Sequence, residues 1–89
     1  MAPIKSITFV VNSAKPGAED AAASLSAVAR ANGAETRLLD QYPLAPDALE
    51  DQDLCCAVGG DGTLLGTLDA ALGSATPVLG INMGKLGFL

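Results

Sequence analysis

Histidine and tryptophan are absent from this 89-residue chain, and one tyrosine and two phenylalanines are its only aromatics. Without histidine there is no imidazole base and no His-based zinc site. Basic residues are scarce: five Lys and Arg stand against ten Asp and Glu, for a net charge of −5 and a pI near 4.2. That balance offers no positive patch and argues against nucleic acid or an anionic membrane as a partner. No apolar run approaches the length of a membrane span. Lys5 and Ser6 interrupt the N-terminus before a signal-peptide segment can form. There is no internal repeat and no low-complexity tract. Cysteine is limited to the adjacent pair Cys55 and Cys56. On a strand these point to opposite faces and cannot make ordinary disulfide geometry with each other. They read as small buried hydrophobes in a reducing cytoplasm.

What is present is aliphatic. Apolar residues make up 49 % of the chain and mean hydropathy is +0.37. Ala, Leu and Val supply the excess, as expected for strands buried on both faces beneath alanine-rich helices. The length allows one small domain, which would bury roughly 60–65 % of its unfolded surface.

Pattern divides the chain into alternating elements. Residues 7–11, Ile-Thr-Phe-Val-Val, read as a first strand bounded by Asn12 and Ser13. Pro16-Gly17 opens a helix with Glu19 and Asp20 in its first turn and Arg30 in its last, matching the helix dipole. Ala21, Leu25, Val28 and Ala29 recur at helical spacing, and Asn32-Gly33 ends the run. Residues 35–39 form a second strand. Residues 40–53 are a connection with two prolines and one helical turn around Pro46 to Glu50. A third strand follows at 54–58, a helix from Thr63 to Leu72 closed by Gly73, and a fourth strand at 78–81. No state is assigned from Asn82 onward. The alternation implies an α/β fold: an open, Rossmann-like parallel sheet of about four strands with flanking helices and right-handed crossovers. A strand order 2-1-3-4 is expected. Ligands then bind at the switch point between the first and third strands, at the loops 12–17 and 59–63.

The motif Gly59-Gly60-Asp61-Gly62-Thr63 falls at that switch point. Glycines let the backbone turn and approach a ligand closely, and a helix start offers free N–H groups to phosphate. Asp61 fits this poorly as a phosphate ligand, since a carboxylate repels phosphate. It suits a proton acceptor, or a metal-facing group, beside a phosphate that the backbone holds. The plain alternative is a strand-to-helix turn with Asp61 as N-cap. Asn82 could reach a nucleotide or shape a turn before Gly84. Lys15 and Lys85 are candidate phosphate-neutralising cations, although lone loop lysines are usually solvated. Met83 and Phe88 read as packing residues, and Tyr42 as a surface residue that could stack on a base. Residues 87–89, Gly-Phe-Leu, make an apolar end where termini are usually polar, so the chain is expected to be the N-terminal part of a longer protein.

GGDGT after a buried strand, followed by Leu79-Gly80-Ile81-Asn82-Met83-Gly84-Lys85-Leu86-Gly87-Phe88-Leu89, resembles the NAD kinase family. Asn12 and Lys15-Pro16 also resemble the start of its bacterial members. GGDGT alone is shared with diacylglycerol-type lipid kinases and, in variant form, with phosphofructokinases; the second motif separates NAD kinases from them.

The resemblance implies that residues 1–89 are the N-terminal nucleotide-binding domain of a two-domain kinase, with a β-rich C-terminal domain to follow. It implies transfer of a phosphoryl group from ATP or polyphosphate to the 2′-hydroxyl of the adenosine ribose of NAD, giving NADP. Asp61 would be the catalytic base. Gly59, Gly60, Asp61, Gly62, Thr63 and Asn82 would bind the nucleotides. Mg²⁺ would bridge the donor's phosphates, with no metal ligand assigned in this chain. A cytoplasmic homo-oligomer is expected, and the 89 residues alone are expected to be inactive. One departure stands out: the helix after GGDGT carries no basic residue, and Asp69 adds a negative charge. A lipid or sugar kinase with a GGDGT motif, or a non-catalytic nucleotide-binding module, remains the alternative.

Overall fold

The computed structural model describes residues 4–40 and 44–83. Strand β1 (Ser6–Val11) leads into helix α1 (Ala18–Ala31), then β2 (Glu35–Leu39), β3 (Leu54–Gly59), helix α2 (Asp61–Gly73) and β4 (Val78–Asn82). The four strands form one sheet in the order β2-β1-β3-β4, with every pairing parallel. This is the Rossmann-like α/β arrangement and strand order that the pattern implied. In the two central strands, β1 and β3, side chains alternate between two buried faces, whereas the edge strands β2 and β4 are half-buried or exposed. Ile7, Phe9, Val11, Cys56 and Val58 pack under Ala18 and Ala22 of α1. Val10 and Cys55 pack on the other face against Ala70 and Ala71 of α2 and against Leu49.

The helices contact the sheet through small residues. The buried positions of α1 are Ala18, Ala22 and Ser26, and those of α2 are Thr63, Thr67, Ala70 and Ala71. Several large aliphatics of both helices turn outward instead. Leu25, Val28, Leu65 and Leu72 are all exposed, Leu72 by 78 %. A sheet face carrying Phe9, Val11 and Val58 already fills the layer, so only short side chains let a helix axis approach.

Three boundaries differ from expectation. Helix α2 begins at Asp61 rather than Thr63 and is preceded by Gly60 in extended conformation, so Asp61 is not the N-cap. Strand β4 extends to Asn82 because Asn82 stands in register with Gly59. Residues 46–51 are turns rather than a helix. The connection is pinned by Leu49, which is fully buried, and by Arg37, which donates to Thr8 Oγ1 (3.1 Å) and to the Ala48 carbonyl.

The cysteines occupy opposite faces, as adjacent strand residues must. Burial, then the neighbouring Cys56, raises the Cys55 thiol from 9.0 to about 11, against a smaller lowering by Arg37. Burial raises Cys56 as well. A thiol held protonated in the fold but free to ionise when unfolded stabilises the fold fully below pH 9. That stability is lost as pH rises from 9 through 11 and amounts to about 2–3 kcal/mol. We expect iodoacetamide to leave both thiols unmodified at pH 7.5 until denaturant is added, and thermal stability to fall above pH 9. Rapid alkylation of the native chain would contradict the burial.

Candidate functional site

The site is assembled at the carboxyl ends of β1, β3 and β4. Beyond β1 the chain is fastened in place: the Asn12 N–H donates to the Val58 carbonyl (2.9 Å), and Lys15 N–H to the Asn12 carbonyl (3.0 Å). Asn12 Oδ1 accepts from the Ala14 N–H at 3.0 Å. Gly17 then enters α1 at φ +84°, a left-handed conformation that glycine adopts without strain. This loop lays the half-buried Lys15 across the motif. A β-carbon on Gly60 would lie 3.2 Å from Lys15 Cε and 3.6 Å from Nζ.

The motif glycines serve a different purpose from turning the chain. Among the described glycines, only Gly17 and Gly33 have positive φ. Gly60 has φ −109° and ψ −167°, a conformation open to any residue. Their contribution is room. A β-carbon on Gly59 would fall 2.5 Å from Thr63 Oγ1 and 2.9 Å from Asn12 Cβ, distances that packing does not permit. At Gly62 a β-carbon meets nothing within 4 Å, so the first turn of α2 lies bare at that point.

Asp61 and Asn82 are brought together. Both are exposed, and Asn82 Nδ2 donates to Asp61 Oδ1 at 3.4 Å. They border a cleft of about 120 Å³ lined by Ala57, Gly60, Asp61, Leu64, Gly80, Ile81 and Asn82. Small-molecule sites usually measure roughly 300–1,000 Å³, so this cleft is smaller than a complete ligand site. A larger cleft of about 440 Å³ lies between α1 and the end of β2, lined by Glu19, Leu38 and Asp40 among others. Its two carboxylates repel phosphate, and it lies apart from the motif.

Thr63 stands in the first turn of α2 with its side chain buried. Its N–H donates to the Gly60 carbonyl at 3.2 Å within the first turn. Its side chain is 2 % exposed, and Oγ1 has no hydrogen-bond partner among the described residues. Leaving a buried hydroxyl unmade costs about 1–3 kcal/mol. Nothing in the sequence flagged that hydroxyl, because threonine in a first helical turn ordinarily finds a partner. Met83 packs against the α1-side core, as read from the sequence. Tyr42, Gly84, Lys85 and Phe88 lie outside the described residues.

Among the described residues no group of three or more His, Cys, Asp or Glu could hold a metal ion, and Asp61 is the only carboxylate lining the motif cleft. Nor is any described helix long and apolar enough to cross a membrane.

Comparisons with known proteins agree with this arrangement. Residues 10–89 match the family described as the ATP-NAD kinase N-terminal domain. The chain is 37 % identical over 93 residues to an NAD kinase of Nitratidesulfovibrio vulgaris strain DP4, covering 100 % of this chain and 31 % of that protein. It is 38 % identical over 90 residues to the NAD kinase of the Miyazaki F strain, covering 97 % and 31 %. A shorter stretch of 37 residues is 62 % identical to an NAD kinase of Acidithiobacillus ferrooxidans, covering 42 % of this chain and 12 % of that one. The chain thus spans less than a third of the length of the first two relatives. On the strand order, the motif at the switch point and the extent of these matches, it belongs to the ATP-NAD kinase N-terminal domain family.

Proposed function

We propose that this domain carries the catalytic base of an NAD kinase, and that the complete enzyme phosphorylates the 2′-hydroxyl of the adenosine ribose of NAD to give NADP. The observation that carries the reading is the Asp61–Asn82 pair at the open start of α2. A ribose hydroxyl becomes a competent nucleophile as it loses its proton. Asp61 is exposed to receive that proton, and the Asn82 amide, donating to Oδ1, fixes the carboxylate and leaves Oδ2 to act. The hydroxyl oxygen then bonds to the donor's terminal phosphorus as the bond to the leaving phosphate breaks. The Asp61 and Gly62 N–H groups that open α2, with the helix dipole, favour the phosphate charge, and the missing side chain of Gly62 leaves room beside them.

ATP or polyphosphate is the donor in this reading. Mg²⁺ supplies charge neutralisation on the donor's phosphates, and no residue of the described chain is assigned to hold it. A cytoplasmic location and a homo-oligomeric state belong to the same proposal, by analogy with the family.

The test is NADP formation by the complete protein from NAD and ATP, followed through an NADP-specific dehydrogenase. The 89 residues expressed by themselves should form no detectable NADP. Their motif cleft is smaller than a complete ligand site and is open to water, whereas phosphoryl transfer needs both substrates positioned in a closed site. Sustained turnover by the 89 residues would show that the site is complete without further walls.

A further inference from the structure

Asp61 and Asn82 meet as two exposed side chains at 3.4 Å, so burial does not hold either of them in place. The residue that follows Asn82 is fixed at both ends. The Met83 N–H donates to the Gly59 carbonyl at 2.7 Å, just ahead of Asp61 in the chain. Its half-buried side chain packs on the α1-side core that includes Val11 and Val58. The methyl end, Cε, stops at Gly17, where a β-carbon would lie only 3.2 Å from it. Gly17 opens α1, and its carbonyl accepts from the Ala21 N–H at 2.9 Å. The alternation of β4, carried one residue further, explains the division of labour. Ile81 and Met83 face the α1 side, and Asn82 between them faces Asp61 of α2. The anchor and the polar pair therefore lie on opposite sides of one short stretch of backbone. Methionine suits the position, being unbranched, apolar and long enough to cross from the end of β4 to the start of α1.

We propose that Met83 is a positioning residue for the phosphoryl transfer. By tying the end of β4 to Gly59 and to Gly17, it holds the Asn82 amide on Asp61 Oδ1 and so aims Oδ2 at the ribose hydroxyl. This rests on the kinase reading above and adds the part that keeps the base in line. Met83 points away from Asp61 and takes no part in the chemistry itself. With the side-chain anchor cut, the end of β4 is held by its ladder bond alone. Asn82 then wanders and Asp61 with it, and a misplacement of about 1 Å can cost on the order of 10²-fold in rate.

The test uses the complete enzyme. Met83→Ala should lower kcat by roughly 10- to 100-fold. KM for NAD and for ATP should stay within about threefold, since neither substrate loses a contact. Met83→Leu, which conserves most of the volume, should hold kcat within about threefold of wild type. Because Met83 acts through Asp61, its effect should vanish where the base is already gone: Asp61→Asn with Met83→Ala should be no slower than Asp61→Asn alone. A second readout needs no turnover. NMR relaxation of the Asn82 side-chain amide should show it ordered in wild type and Met83→Leu, and mobile in Met83→Ala. If wild type forms no NADP while the amide loosens as expected, the kinase reading fails and the anchoring of Asn82 stands. An amide equally ordered in all three proteins overturns the proposal whatever the kinetics. A lowered Tm with unchanged kcat in Met83→Ala also overturns it, leaving Met83 as packing alone. So does a double variant in which the two losses simply multiply.

Discussion

Asp61→Asn in the complete enzyme should lower the rate of NADP formation by roughly 10²–10⁴-fold, the usual contribution of a general base. NAD affinity should change by less than about tenfold. The reason lies in the geometry. Asp61 is an exposed first-turn residue of α2 that is not the N-cap, so its amide replacement fits without repacking. An amide in its place can still hydrogen-bond Asn82 and a ribose hydroxyl, but it cannot accept a proton. The loss should therefore fall on kcat with KM for NAD little altered, the pattern of an interaction made in the transition state. Steady-state kinetics separate the two parameters. Near-normal kcat in this variant would remove Asp61 from the chemistry.

Gly59→Ala should be the most destabilising single change in the motif. The added carbon would lie 2.5 Å from Thr63 Oγ1 and 2.9 Å from Asn12 Cβ, and neither neighbour is the free end of a flexible chain. Overpacking of this kind costs about 1–3 kcal/mol, which in a domain of this size corresponds to a Tm lower by roughly 5–20 °C. Gly62→Ala is the control. Its β-carbon meets nothing, and alanine favours a helix by about 1 kcal/mol over glycine, so Tm should hold or rise. Adding Thr63→Ala to Gly59→Ala removes the closest oxygen and should recover part of the loss. Equal, small Tm changes for Gly59→Ala and Gly62→Ala in calorimetry would mean that the motif glycines are not chosen for room.

Much of this was legible in the sequence. The β-branched run at 7–11 and the apolar run at 54–58 announce buried parallel strands. The β-α-β-β-α-β order leaves few topologies, and the observed strand order is the one expected. The switch-point rule then places residues 12–17 and 59–63 in one crevice. Two things were not legible. Helical spacing finds a helix but only part of its buried face when the layer beneath is crowded. Of Leu64, Leu65, Leu68, Ala71 and Leu72, which carry the pattern, Ala71 is buried and Leu64 and Leu68 half-buried, while Leu65 and Leu72 are exposed. Thr63, Thr67 and Ala70 are buried beside Ala71. Nor was it legible that the motif glycines are not needed for turning the chain. Sequence cannot distinguish a glycine needed for positive φ from one needed for space. In this chain Gly17 is the former, and Gly59 and Gly60 are the latter. The meeting of Asn82 with Asp61 depended on a strand register that only three-dimensional pairing fixes.

The all-parallel pairing also sets when the crevice can exist during folding. No two paired strands are joined by a hairpin, so each pairing waits for the whole segment between them to be made and folded back. Lys15, Asp61 and Asn82 stand after β1, after β3 and at the end of β4, and they converge only when the last strand docks. Helices can form early and locally; the crevice belongs to the final, non-local step. A collapsed state with native helix content would therefore have no binding site. A ligand that touches both ends of the crevice would select the finished sheet alone, and its protection against proteolysis would count completed domains rather than compact ones.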